Sequence, residues 1–326
     1  MGNTVQTLIG RTGDLDYIHQ AVSQGACCSI VGTSNLGKSA LLRHLGELPP
    51  SSAGAFVYID CNQMAEHTAR SFFAVIWRAL AARLEKSKPD AALSVKRWTS
   101  QIIHLPSSLA AQSAFEDALA FALASLPHPL VLCLDEFDQV YVRCEPQTFL
   151  NLRSLRDRYG ADLLYVTATE RELARMTTTR EQGEFYELVS AHIHFLSFWD
   201  TSDSQRFCQE LAQRDHITVD ESNLRLIYDQ AGGHPGLTQV VCQVLGSETG
   251  ASTRDPLQNR AVHPLVLPRL ASDGNVRSEC DKIWDDLAED ERQLLLNLPR
   301  VDMDSAAGRS LQNKCILRDT GEGPAF

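Results

Sequence analysis

The stretch from Ser29 to Leu45, SIVGTSNLGKSALLRHL, limits the fold more than any other part of the chain. A short apolar run enters a loop with a glycine at each end, and the loop runs straight into an amphipathic helical pattern. Gly32-Thr33-Ser34-Asn35-Leu36-Gly37-Lys38-Ser39 has the form G-x-x-x-x-G-K-[ST]. Glycines let backbone N–H groups close around an anion with no Cβ in the way. The helix that follows adds free N–H donors and partial positive charge at its start. The spacing predicts that this loop, through Ala40, wraps the phosphates of a nucleotide, with Lys38 reaching the β- and γ-phosphates and the Ser39 hydroxyl ligating Mg²⁺. At average composition the pattern arises by chance in roughly one chain of this length in a hundred. The alternative is a glycine-rich turn that binds nothing.

Five β-branched or apolar runs are expected as strands: Cys28–Gly32, Ala55–Asp60, Leu130–Asp135, Asp162–Thr169 and His192–Phe198. Helical patterns lie between them, over Ser39–Leu48, Thr68–Leu84, Leu109–Leu126 and Gln147–Tyr159. Phe72, Val75, Ile76, Ala79 and Leu80 show the spacing of one helix face. Strands alternating with helices predict an α/β fold with a mostly parallel five-stranded sheet covered on both faces.

A nucleotide site needs a second half, and Leu130-Val-Leu-Cys-Leu-Asp135-Glu136 supplies it. Asp135, ending a buried strand, is expected to hold the Mg²⁺ shell. Glu136, pointing elsewhere, is placed to polarise an attacking water. A Glu directly after this Asp marks P-loop proteins that hydrolyse ATP, and Ala55–Asp60 fits the extra strand of that class. The fourth strand ends in polar groups able to sense a γ-phosphate, with Thr167, Thr169 and Arg171 as candidates; a Ser or Thr at a strand end is also an ordinary structural feature. Arg153, Arg156 and Arg158 read either as a solvated helix face or as a finger toward a neighbouring subunit's phosphate.

Beyond Phe198 the strands stop. Thr201-Ser202-Asp203 and Asp220-Glu221-Ser222 read as helix caps. In AGGHPGLTQVVCQVL, Gly232 and Gly233 end one helix and Pro235 suits the first turn of the next. The patterns divide the chain into a P-loop core over 1–199, a helical segment over 200–248, a proline-rich linker over 249–277, and a winged-helix-like unit over 278–326. In the last unit three short helical patterns precede CILRDTGEGPAF, a hairpin with Gly321 and Gly323 in its turn.

The net charge of −11 argues against wholesale nucleic-acid binding. No apolar run approaches the roughly 20 residues of a membrane span, and no signal peptide is evident. MGNTVQ has Gln where a myristoylation signal wants Ser or Thr. The nine cysteines contain no CxxC pair and read as reduced, buried thiols of a cytoplasmic protein. His192 and His194 read as a solvated strand face, with a zinc site as the alternative.

With these motifs in hand the chain resembles a STAND-type NTPase of the AAA+ and P-loop ATPase clan. LIGRTGDLDYI, residues 8–18, is similar to that family's entry segment, which implies that Ile9, Gly10 and Arg11 lie near the adenine. GGHPGLTQ resembles its lid motif, which implies that Pro235, and with it His234, packs near the nucleotide. Gln239 stands where a second-sensor arginine would be expected in a ring-forming AAA+ motor. The resemblance implies a switch that binds ATP or ADP with Mg²⁺, hydrolyses ATP, and forms homo-oligomers in signal transduction, including defence against phage. The sequence carries no mark of the upstream trigger or the downstream effector. One rival is a DNA-associated ATPase, such as an initiator or transposition regulator; its recognition helix over Ser305–Cys315 would offer only Arg309 and Lys314. A second rival is a scaffold that binds nucleotide without hydrolysing it, against which Glu136 argues.

Overall fold

In the computed structural model of the chain, residues 8–51, 53–104, 108–215, 219–249, 264, 266–298, 302–319 and 324–325 are described. They gather into two compact units. The first comprises Gly13–Val31 and Lys38–His194. The second comprises residues 8–12, Gly32–Gly37 and the chain from Phe195 onward.

The first unit is built on a sheet. Its elements are α1 (Thr12–Ser23), β1 (Cys28–Val31), α2 (Lys38–Glu47), β2 (Ala55–Asp60), α3 (Ala69–Ser87), α4 (Ala92–His104), α5 (Ser108–Ser125), β3 (Leu130–Asp135), α6 (Phe137–Arg143), α7 (Gln147–Tyr159), β4 (Leu163–Thr169), α8 (Leu173–Met176), α9 (Arg180–Tyr186) and β5 (Ile193–Phe195). The sheet order is β2-β3-β4-β1-β5, and β2–β3, β3–β4 and β4–β1 pair in parallel. Every residue of β1, β3 and β4 is buried. That burial explains why these strands read as continuous apolar runs. All five expected strands form. β2 lies between the two motifs in the chain and at the edge of the sheet, and β4 is the strand interposed between β1 and β3.

Helix α3 begins where Thr68 accepts the Ser71 N–H at 3.2 Å, a side-chain cap. It buries Phe72, Val75, Ile76 and Leu80 as the spacing predicts, with Phe73, Trp77 and Leu84 beside them. Helix α4 was not foreseen. Its Val95, Thr99 and Ile102 are weak helix formers, but Val95 and Ile102 are buried, and Trp77 Nε1 donates to Thr99 Oγ1 at 2.9 Å. Tertiary packing therefore overrides propensity there. An aromatic cluster of Phe137, Tyr141, Phe149 and Phe185 forms the core beneath α6, α7 and α9.

The second unit is helical, with α10 (Thr201–Asp215), α11 (Glu221–Ala231), α12 (Pro235–Thr249), α13 (Gly274–Asp285), α14 (Glu289–Leu296) and α15 (Ala306–Asn313). Pro235 is the first residue of α12, and Gly232 ends α11 at φ +60°. Asp220 caps α11 by accepting from Asn223 N–H. The cap of α10 is Asp200, whose carboxylate accepts from Asp203 N–H at 2.8 Å; the helix itself starts at Thr201, so the expected Thr201–Asp203 cap is displaced by one residue. Residues 266–272, inside the stretch read as a linker, are helical. Val266 and Leu270 are buried with Leu211, Leu224 and Ile227. A smaller core of Leu287, Leu295, Leu311 and Leu317 joins α14 and α15. Arg318–Asp319 and Pro324–Ala325 then pair antiparallel as β6 and β7, the ends of the expected hairpin; Gly321 and Gly323 lie outside the described residues.

Candidate nucleotide site

In the first unit, Lys38, Ser39 and Ala40 open α2, and Lys38 is 5% exposed. β3 delivers Asp135, 1% exposed. Its Oδ2 accepts from the Tyr58 hydroxyl at 2.8 Å, while Oδ1 is buried with no hydrogen-bond partner among the described residues. An orphaned buried carboxylate oxygen is costly unless a cation or its water completes it. Hard oxygen donors, Ser39 and Asp135, fit Mg²⁺. Tyr58 in turn lies under the Arg43 guanidinium, 5.3 Å from the ring centre. α2 can approach β2 this closely because residue 46 is glycine; a Cβ there would stand 2.7 Å from Tyr58 Cβ.

Glu136 follows in the left-handed conformation, φ 53° and ψ 42°, at the start of α6 with no side-chain capping bond. A non-glycine residue there is strained, and such strain concentrates at functional positions. The turn separates its side chain from that of Asp135. Burial pushes the Glu136 carboxyl above its ordinary value; the charge of Lys38 opposes this, while Asp135, Glu170 and Asp60 add to it. The result is a half-buried carboxyl of raised basicity within an acidic group facing one lysine, an arrangement suited to a general base beside a divalent cation.

The sensor candidates separate. The Thr167 hydroxyl donates to Ser29 Oγ at 3.0 Å inside the sheet, so it is committed to structure. Thr169 is fully buried at the end of β4, and its hydroxyl has no partner among the described residues. Arg171 Nε is likewise buried without a partner among them. Sequence reading missed Asp138, whose two carboxylate oxygens accept the Glu170 N–H at 3.0 and 3.2 Å. Burial and then the Glu170 charge push its pKa up to about 7. The only signal for it was the spacing DEFD.

Arg153, Arg156 and Arg158 are held within the chain. Arg153 pairs with Asp157 and Glu187, and Arg158 with Glu116. Arg156 donates to the Gly25 carbonyl at 2.8 Å. Their geometry is that of helix-face anchors. His194 is not a solvated strand residue: Nε2 lies 2.5 Å from Asp14 Oδ1 and the ring stacks on Tyr17 at 4.4 Å.

The second unit holds the rest of the loop. Gly37 has φ +104° and Asn35 φ +57°, the alternation from which anion-binding nests are made. Gly32 is required for space: a Cβ would sit 2.8 Å from Leu36 Cδ2. Arg11, 2% exposed, donates to the Leu36 carbonyl at 2.6 Å and to the Ser197 carbonyl at 2.8 Å. It thus braces the loop from its outer side. Ile9 offers its carbonyl to Trp199 Nε1 at 3.2 Å. Gly10, at φ +65°, leaves room for Asp203 and Trp199. His234 is fully buried; Nδ1 accepts the Leu237 N–H at 3.3 Å. That leaves Nε2 to carry the hydrogen toward Thr33 Oγ1, 3.4 Å away. Asp286 and Glu279, two further residues that sequence reading passed over, bond to Ser34 and Asn35.

Residues 7–160 match the family model of the AAA ATPase domain. No curated protein sequence matches the chain. Among solved structures, the chain is similar to a Walker-type ATPase of Pyrococcus abyssi, with TM-score 0.56 and 12% identity over 98% of this chain and 93% of that one. It is also similar to the Orc1 protein of Aeropyrum pernix in complex with DNA, with TM-score 0.50 and 14% identity over 91% and 73%. The Thermotoga maritima RuvB branch migration motor follows at TM-score 0.48 and 14% identity over 98% and 92%. The match over residues 7–160 and the likeness to the Pyrococcus abyssi ATPase agree on the fold, which is that of a P-loop NTPase.

Proposed function

We propose that the chain is an ATP-binding and ATP-hydrolysing switch of STAND type, cytoplasmic, changing its assembly state between ADP and ATP. The observation that carries hydrolysis is the pair at the end of β3. Asp135 keeps a buried oxygen open where Mg²⁺ would sit, and Glu136, turned away by its left-handed backbone, keeps a half-buried carboxyl of raised pKa. Bound between Ser39 and Asp135, Mg²⁺ would neutralise phosphate charge. Glu136 would orient a water and take its proton, and Thr169 with Arg171 would meet the γ-phosphate. The lid over 200–248 and the winged-helix-like unit over 278–326 then act as the parts that ADP holds closed and ATP releases. Two arrangements separated by a few kcal/mol suffice, provided the two nucleotides differ in affinity for them. Among the described residues no helix is long and apolar enough to cross a membrane. Glu136→Gln should bind Mg·ATP as wild type does and hydrolyse it at least about a hundredfold more slowly. In ATP it should form a larger particle by light scattering than wild type does in ADP. Equal turnover in the two proteins would remove Glu136 from catalysis.

The second reading is a DNA-associated AAA+ ATPase, favoured by the likeness to Orc1 in complex with DNA. The candidate recognition helix weighs against it. Lys314 is buried, with Nζ 2.9 and 3.1 Å from the two carboxylate oxygens of Glu291. That leaves Arg309 as the helix's solvent-facing cation, and DNA binding needs several. Tight, salt-sensitive duplex binding at about 50 mM salt, with one particle size in both nucleotides, would favour this reading over the switch.

A further inference from the structure

We propose that Asp286 is an internal ligand of the phosphate loop, its carboxylate occupying Ser34 where a phosphoryl group would bind, so that a nucleotide must displace it. The proposal rests on the P-loop reading above and adds a regulator to that site. Asp286 is 4% exposed. One carboxylate oxygen accepts the Ser34 backbone N–H and the other accepts the Ser34 hydroxyl at 3.1 Å. A carboxylate that takes a main-chain N–H and the adjacent hydroxyl of a glycine-flanked nest uses the donors such a nest offers to phosphate oxygens.

Two neighbouring contacts show that the occupancy is built. Asn35 Nδ2 donates to Glu279 Oε2 at 2.7 Å, and Glu279 lies two helical turns before Asp286, on the same face of α13. Lys282 secures Glu279 from the far side at 2.6 Å. Burial pushes the Glu279 carboxyl up, but hydrogen bonds from Lys282 and Asn35 outweigh it and hold the group charged. Close approach at this point demands Gly236 of the GGHPGLTQ motif, where a Cβ would lie 2.7 Å from Glu279 Oε2 and 2.9 Å from Asn35 Cβ.

The position of Asp286 along its own helix argues the same way. It is the C-cap of α13. A carboxylate there adds to the negative end of the helix dipole, the wrong sign for helix stability. The loop amide turns that local cost into a charge-assisted hydrogen bond. With Asp286 in place, the apparent affinity for nucleotide is the intrinsic affinity multiplied by the fraction of molecules in which the carboxylate has left.

The test measures ADP and Mg·ATP binding by calorimetry for the full chain, for Asp286→Ala, Asp286→Asn and Lys38→Ala, and for Lys38→Ala combined with Asp286→Ala. Asp286→Ala should bind about tenfold tighter or more, and Asp286→Asn should fall between it and wild type, since it keeps an acceptor and loses the charge. Both gains should vanish with Lys38→Ala. In the wild type, a saturating non-hydrolysable ATP analogue with Mg²⁺ should also speed hydrogen exchange in α13, a measurement that needs no variant to fold. Binding by Asp286→Ala no tighter than wild type, while Lys38→Ala abolishes binding, overturns the internal ligand and leaves the P-loop reading intact. So does α13 exchange that the ATP analogue leaves unchanged or slows. Normal binding by Lys38→Ala overturns the P-loop reading and the internal ligand with it.

Discussion

Gly37→Ala separates backbone strain from side-chain space at the phosphate loop. At φ +104° residue 37 lies beyond the left-handed well that Asn35 uses, in a region open essentially to glycine. Space is not the obstacle, because an added Cβ would meet only the Arg11 guanidinium, Nε at 3.6 Å and Nη2 at 3.9 Å, both ordinary contacts. The penalty is therefore torsional, on the order of 1–3 kcal/mol. Where it falls is open to the molecule. If the loop keeps its shape without nucleotide, the free protein loses that stability; if the loop relaxes, the loss appears as weaker binding instead. The two losses must add to the same 1–3 kcal/mol, because the bound loop requires the glycine conformation in either case. Urea unfolding of the free protein and calorimetric titration with Mg·ADP measure the two parts. Gly183→Ala is the control: it lies inside α9 with nothing within 4 Å of an added Cβ, so it should stabilise by about 0.5–1 kcal/mol. A summed loss at Gly37 below about 0.5 kcal/mol, with the Gly183 control behaving as expected, would refute the assignment of the loop as a formed nest.

Lys38→Ala should lose the thermal shift that saturating nucleotide gives the wild type, worth about 2.7 kcal/mol at a hundred times the dissociation constant; a normal shift with Mg·ATP would remove the P-loop assignment. Hydrolysis requires ionised Glu136, and the raised pKa of that carboxyl places the acid limb of the kcat–pH profile above the ordinary carboxylate range. The same upward shift means that Glu136 subtracts stability as pH rises past its unfolded value, so Glu136→Gln should be no less stable than wild type at pH 8 by thermal melt. Lys314→Met should destabilise the second unit by about 3–5 kcal/mol, since it strands the Glu291 carboxylate in the interior. Adding Glu291→Gln should return most of the loss, which a double-mutant cycle in urea checks.

What the sequence shows and what it hides divides by distance along the chain. The loop, α2, β3 and the Asp135–Glu136 pair are each local, so their residue types and spacing are enough to place them. Strands buried on both faces announce themselves as apolar runs, which is why β1, β3 and β4 were placed within a residue. Helix α4 escaped because its β-branched residues become helical only by packing against α3 and α5. The unforeseen partners are all long-range. Tyr58 meets Asp135 across 77 residues, and Asp286 meets Ser34 across 252. No periodicity carries such a pairing, and the acidic run Asp281–Glu291 registers in the sequence only as charge. Lys314 shows the reverse error, since a lysine on a helix reads as solvent-facing until its buried carboxylate is seen.

The nine cysteines form a reporter already distributed through the protein. None is disulfide-bonded; seven are buried, while Cys280 is exposed and Cys315 partly so. Cys27, Cys28, Cys61, Cys133 and Cys144 belong to the sheet unit, and Cys208 and Cys242 to the helical unit. Burial pushes the Cys28 thiol up to about 12, so in the folded state it is both shielded and protonated, and alkylating reagents attack only thiolates they can reach. A buried thiol then reacts at its unfolded rate multiplied by the fraction of time its surroundings are open. Peptide-resolved alkylation would therefore follow the opening of the two units as independent clocks within one unaltered molecule, with Cys280 marking the zero of the time axis.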